Sequence, residues 1–194
     1  MSSSIQVIDN FLPEDVFYPF ATALMSNGMY TPADCASFRQ ESDNSVSSFG
    51  ENLKTDTSLA ETLFSANIFY RDMNVIHTSE FWLYNPDWFD TLAKELNVKR
   101  WMQLRVNCTT GQLQPHTGGY HIDFSIRSEN YKTAILYLNT NNGGTQIRRE
   151  KESTLFVKSQ KNKLVKFPTF NMHAAVWATD AKLRFVLNMT YEEI

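Results

Sequence analysis

The chain has 194 residues, 42% hydrophobic and 13% aromatic, and carries a formal net charge of −3. This composition excludes a disordered polymer, is consistent with one domain of ordinary size, and gives no broad electrostatic grip on nucleic acid. The opening Met-Ser-Ser-Ser-Ile-Gln-Val lacks a basic and then apolar export signal, and no apolar run approaches the roughly 20 residues of a membrane span. Cys35 and Cys108 form neither a disulfide framework nor a zinc pattern, so a reducing, cytoplasmic setting is expected.

In chain order, Ile5 to Leu12 reads as a short strand, and Pro13 opens a helix with Val16, Phe17, Phe20, Ala21 and Leu24 at helical spacing. Residues 26–57 are polar and irregular, broken by Gly28 and Gly50. A loop of this length is either a lid or binding loop or a plain surface excursion. A short helix is expected over 58–67, one or two strands between Phe69 and Tyr84, and a long helix over 87–97 behind Asn85-Pro86-Asp87. From residue 100 the texture changes. Met102, Leu104 and Val106 alternate with Gln103, Arg105 and Asn107 in a strand over 101–107, and the turn-rich segment 109–119 leads to a strand carrying His121. Lys132 to Asn139 reads as a well-buried strand ended by Asn141-Asn142-Gly143-Gly144, and further strands are expected at 145–149, 153–158, 163–167, 171–177 and 183–191. Such spacing without intervening helices predicts an antiparallel sandwich or jelly roll, mainly β, buttressed by N-terminal helices. One domain, 1–194, is expected: support and loop over 1–99, and the sheet core with the site over 100–194. The grouping Arg148, Arg149, Lys158, Lys161, Lys163 and Lys166 reads as a solvated strand-and-turn surface.

The chemistry resides in four residues. His121 and Asp123, two apart on an extended segment, point to one side, and His173 from a distant strand can close a three-ligand face around one metal ion. Two imidazoles and one carboxylate with the opposite positions open is the arrangement of non-haem Fe(II) oxygenases. Arg184, eleven residues beyond His173 in an apolar strand, is a buried cation in need of a partner, and it suits a dicarboxylate co-substrate. An internal Asp or Glu is the bland alternative. Of the other histidines, His116 falls in a loop near the entrance, and His77, among apolar neighbours, reads as structural.

Over residues 100–191 the pattern resembles the Fe(II)/2-oxoglutarate-dependent oxygenase superfamily, in particular its prolyl 4-hydroxylase-like branch. The resemblance rests on His121-x-Asp123, the Ile-Leu-Tyr-Leu-Asn strand, the Gly-Gly turn after it, His173 and Arg184. Residues 1–99 match in outline, through Ile-Asp-Asn-Phe-Leu-Pro and the supporting helices. The resemblance implies a double-stranded β-helix (jelly-roll) core with Fe(II) held by His121, Asp123 and His173. It implies 2-oxoglutarate and O2 as co-substrates, with ascorbate as an accessory reductant in some members. The far carboxylate of 2-oxoglutarate would pair with Arg184 and the Tyr137 hydroxyl, and strand parity adds Thr133, Asn188 and Thr190 as pocket candidates. The implied reaction hydroxylates a substrate C–H bond, peptidyl proline first, with release of succinate and CO2.

Two departures bear on the substrate. The second arginine typical of DNA-repair demethylases, six residues after the first, is Thr190 here, which disfavours repair of alkylated bases. The tryptophan common in the last strand of prolyl hydroxylases is missing from Leu187-Asn188-Met189-Thr190-Tyr191. A free amino acid or other small metabolite therefore stays open as substrate, with 26–57 and 109–120 as specificity elements. A non-catalytic jelly-roll binding module and a zinc hydrolase are the remaining alternatives.

Overall fold

The computed structural model describes residues 5–26, 31–32, 64–71, 74–75, 86–124, 126–149 and 153–194. Two helices and eleven strands follow one another: β1 Gln6–Ile8, α1 Glu14–Ser26, β2 Thr31–Pro32, β3 Phe64–Arg71, β4 Asn74–Val75, α2 Pro86–Glu95, β5 Val98–Thr110, β6 Tyr131–Tyr137, β7 Gly144–Arg148, β8 Thr154–Lys158, β9 Leu164–Pro168, β10 His173–Val176 and β11 Leu183–Glu193. The strands form two antiparallel sheets. The larger has eight strands in the order β1-β9-β6-β11-β5-β3-β2, with β4 on β3, and the smaller has the order β10-β7-β8.

β11 is the centre of the large sheet, paired with β6 on one side and β5 on the other. Its side chains alternate between two faces. Phe185, Leu187, Met189 and Tyr191 point to the outer face, with Leu104 and Val106 of β5 and Ala134 and Leu136 of β6. Phe17, Phe20 and Leu24 of α1 and Phe89 and Leu92 of α2 cover that face. Each fully buried side chain of this kind contributes roughly 1.5–3 kcal/mol. The two helices meet edge-on, Phe20 against Trp88 at 5.5 Å and Phe89 at 6.2 Å between ring centroids. On the inner face, Ile135, Tyr137, Val165, Phe167 and Val186 pack on Ile147 and Val157 of the small sheet. The inner positions of β11 left over, Arg184, Asn188 and Thr190, are polar and buried.

Local chemistry explains the boundaries. Pro13 lies just outside α1, where its carbonyl accepts the Val16 and Phe17 N–H groups at 3.0 and 2.8 Å. Asn97 follows α2 with φ 54°, a left-handed conformation that asparagine tolerates. At Gly144 a Cβ would lie 2.2 Å from the Val157 carbonyl, so only glycine lets β7 pair with β8 there.

Three sequence expectations change. The described part of the helix expected over 58–67 is strand, because Phe64 to Arg71 pairs with β5; residues 58–63 lie outside the described residues. The opening strand is only Gln6–Ile8, since Asn10 turns the chain at φ 49°. The His121 segment is no ladder strand: a single bridge joins His121 to His173. Most of the 26–57 loop, the cap at Asn85 and His77 lie outside the described residues.

Asn162 ties the N-terminal segment to the large sheet. Its Nδ2 donates to the Leu12 carbonyl at 2.7 Å, its Oδ1 accepts the Leu12 N–H at 3.0 Å, and its own φ is 61°. Asn162→Ala loses both bonds and gains backbone strain, so it should cost about 2–4 kcal/mol. The urea midpoint should fall at unchanged slope; an unshifted midpoint would remove this anchor from the account.

Candidate metal centre and co-substrate pocket

His173 starts β10, and His121 lies in the segment facing it. Their backbones exchange two hydrogen bonds of 2.9 Å, and their rings stand 4.5 Å apart. Asp123, two residues on from His121, completes the group. His121 Nε2 is 3.9 Å from Asp123 Oδ1, and His173 Nε2 is 3.6 Å from Asp123 Oδ2. One ligand atom from each residue falls within 4.8 Å of the other two.

The tautomers suit metal binding. His121 Nδ1 sits 3.1 Å from the Gly119 carbonyl and His173 Nδ1 3.1 Å from the Asn171 carbonyl. A carbonyl can only accept, so each Nδ1 carries the proton and each Nε2 turns a lone pair toward Asp123. Burial, the neighbouring His173 and Arg105 outweigh Asp123 and lower the His121 pKa to about 4, which keeps that imidazole neutral. Burial would raise Asp123, but His173, Arg105 and His121 and the Thr133 hydroxyl together hold it down at about 2. Two imidazole nitrogens and one carboxylate oxygen are a donor set that fits a divalent ion such as Fe(II).

Arg184 occupies the other end of a pocket that His121 and His173 also line. It is 3% exposed. One terminal nitrogen donates to the Gly144 carbonyl at 2.9 Å, its guanidinium stands 5.7 Å from the Tyr137 ring centre, and its Nε has no partner among the described residues. No acidic side chain answers it there. Burial pushes the Arg184 pKa below its ordinary value and that of Tyr137 up to about 12. The Tyr137 hydroxyl donates to Thr145 Oγ1 at 2.8 Å or the Val157 carbonyl at 3.2 Å.

Thr133 and Asn188 both reach the Asp123 carboxylate. The Thr133 hydroxyl donates to Asp123 Oδ2 at 3.1 Å, and Asn188 Nδ2 lies 3.5 Å from the same oxygen. Both therefore brace the carboxylate at the metal end. Thr133 does not line the pocket, whereas Asn188 does. Thr190 is buried opposite Thr133, its hydroxyl without a partner. His116 stands apart from the triad, its ring 5.2 Å from that of Trp177. Trp177 forms the pocket mouth against Gly118, where a Cβ would lie 2.6 Å from the indole.

Sequence reasoning overlooked Arg105 and Thr145. Arg105 donates to Asp123 Oδ1 at 3.3 Å. Its signal was an arginine between Leu104 and Val106, on a strand whose apolar alternation marks burial. Thr145 directly follows the two glycines of the turn.

The sequence matches no protein-family model and no curated protein. The fold, in contrast, recurs in solved structures. A prolyl-4-hydroxylase from Pseudomonas putida superposes with a TM-score of 0.60 at 13% identity, covering 99% of this chain and 94% of that one. A prolyl hydroxylase from Trichoplax adhaerens, solved with a hypoxia inducible factor peptide fragment, gives 0.61 at 15% identity over 98% and 84%. The epimerase SnoN in complex with Fe3+, alpha ketoglutarate and nogalamycin RO gives 0.60 at 11% identity over 99% and 80%. This chain thus has the jelly-roll fold of the 2-oxoglutarate/Fe(II) oxygenases.

The His121 shift carries a pH dependence for the metal-free protein. The unfolded chain takes up this proton near pH 6.5, the folded one only near pH 4. Stability should therefore fall as pH drops through that window, by at most about 3 kcal/mol. Urea unfolding of metal-free protein at pH 7, 5.5 and 4.5 reads this, and His121→Asn should flatten it. An equally steep profile in the variant would place the titration elsewhere.

Proposed function

We propose that this chain is an Fe(II)- and 2-oxoglutarate-dependent dioxygenase that hydroxylates a substrate C–H bond, built as one oxygenase domain over 1–194. One observation carries the reading. Two imidazole lone pairs and a carboxylate converge at one end of a pocket whose other end is a buried arginine without an acidic partner. In this reading His121, Asp123 and His173 hold the iron. Bound there, Fe(II) couples oxidative decarboxylation of 2-oxoglutarate by O2, with release of succinate and CO2, to oxidation of the substrate C–H bond.

The protein's own part is placement. Arg184 receives the far carboxylate of 2-oxoglutarate through its free Nε and a terminal nitrogen, a two-pronged charge-assisted contact. Thr145 lines the pocket and supplies a hydroxyl donor at that end, and Tyr137, protonated up to about pH 12, donates to it from behind. Arg105, Thr133 and Asn188 fix the plane of the Asp123 carboxylate. Ile135 and Val186 keep the pocket wall apolar, which limits water near the reacting atoms.

Peptidyl proline is the first substrate to test, in view of the likeness to the two prolyl hydroxylases. A free amino acid or small metabolite is the second, in view of the likeness to SnoN, solved with nogalamycin RO. A binding module without chemistry has no use for a buried clamp such as Arg184, which disfavours it.

Anaerobic calorimetry with Fe(II) and then 2-oxoglutarate tests the reading, followed by succinate release in air. His121→Ala or His173→Ala should abolish iron binding and turnover while the circular dichroism stays unchanged; full activity in either would end the proposal. Arg184→Ala should raise the KM for 2-oxoglutarate by an amount worth about 2–5 kcal/mol and leave iron affinity nearly intact. Arg184→Lys should recover part of that loss.

A further inference from the structure

Arg105 is charged beyond what bracing Asp123 requires. It projects from β5 directly opposite Asn188 of β11, on the face that lines the pocket. Its side chain is 18% exposed, one terminal nitrogen lies 3.3 Å from Asp123 Oδ1, and its Nε is buried without a hydrogen-bond partner. A guanidinium has five N–H donors, and Asp123 engages one nitrogen. Asn107 Oδ1 and Asn188 Oδ1, buried in the same wall, also have no partner among the described residues.

The two arginines address different ends of the pocket. Thr109 lies opposite Arg184 and Arg105 lies opposite Asn188, four residues along the strands, about 13 Å in backbone distance. A diacid that runs from Arg184 to the metal leaves Arg105 on the far side of the ligand group.

Charge balance then bears on the substrate. Among the described residues at the pocket, Asp123 is the one anion and Arg105 and Arg184 are the cations. A divalent ion and dianionic 2-oxoglutarate cancel each other, so the loaded site keeps one positive charge. A net charge in a poorly hydrated pocket is costly unless a counter-charge enters.

We propose that the substrate supplies that counter-charge, and that Arg105 receives a carboxylate carried by a small free acid. The oxygenase reading above underlies this step and gains a substrate class from it: a small carboxylate-bearing metabolite of net negative charge, in preference to a residue within a peptide chain. A peptide unit presents only neutral amides to a guanidinium, whereas a carboxylate matches its planar fork.

The test uses anaerobic full-length protein loaded with Fe(II) and 2-oxoglutarate, and calorimetry with matched probes. These are N-acetyl-L-proline against N-acetyl-L-prolinamide, benzoate against benzamide, and the blocked peptide acetyl-Gly-Pro-Gly-amide. At least one acid should bind tenfold or more tightly than its amide and than the peptide. Arg105→Gln should erase that preference, and Arg105→Lys should keep most of it. Equal binding of acid and amide, tighter binding of the blocked peptide, or no binding of any probe would each overturn the proposal. So would an Arg105→Gln variant that loses 2-oxoglutarate affinity as far as Arg184→Gln does, since Arg105 would then serve the co-substrate; each variant is compared at an Fe(II) concentration that saturates it. Failure of the unaltered protein to bind 2-oxoglutarate in the first titration overturns the oxygenase reading, and this proposal with it.

Discussion

Everything in this molecule depends on the two-residue alternation of β11. Phe185, Leu187, Met189 and Tyr191 commit one face to the helices, and that commitment turns Arg184, Val186, Asn188 and Thr190 toward the small sheet. Sliding β11 by one residue against its neighbours would bury a guanidinium under α1 and expose four large apolar side chains to the pocket. Because β5 and β6 flank β11 on both sides, their inner residues inherit the same orientation. Arg105 faces Asn188 and Tyr137 faces Val186 for no other reason. Helix burial and pocket chemistry are thus two outcomes of one register.

The end of the pocket formed by His121, Asp123 and His173 is braced by the chain's own groups. Asp123 is 2% exposed and contacted by Arg105, Thr133 and Asn188. His173, Arg105, His121 and the Thr133 hydroxyl offset the desolvation of the carboxylate, and each of the three donors fixes the direction of one oxygen. The imidazoles are oriented by backbone carbonyls, which move less than side chains would. Buried polar groups without partners gather at the pocket, on Arg105, Asn107, Thr109, Arg184 and Asn188. Elsewhere a buried polar atom of this kind would be a defect; concentrated in one wall they describe the polarity of an occupant.

Much of this was legible from residues alone. The core strands were readable because apolar alternation and Gly-Gly turns report pleat and punctuation locally, and the meeting of His121, Asp123 and His173 because residues two apart on extended chain face one side. Thr133 was misread because parity tells which face a residue takes but not its depth along that face. The facing segment brings Asp123 to Thr133, and the far carboxylate end lies beyond it. Arg105 was passed over because its meaning depends on a strand neighbour 83 residues later, Asn188. The helix expected over 58–67 gave way to β3 because pairing with β5 outweighs weak local propensity.

The single bridge between His121 and His173 has a mechanical side. Among the described residues between Gly111 and Asn130 there is no ladder, and two bridges, Thr117 to Val176 and His121 to His173, join them to β10. An ion gripped from both sides of the second bridge closes a loop of more than fifty residues, much as a disulfide does. It is a cross-link that can be removed with a chelator. Iron at this place would be as much a fastener of the pocket's rim as a reagent, and starvation for it would slacken the doorway along with the chemistry.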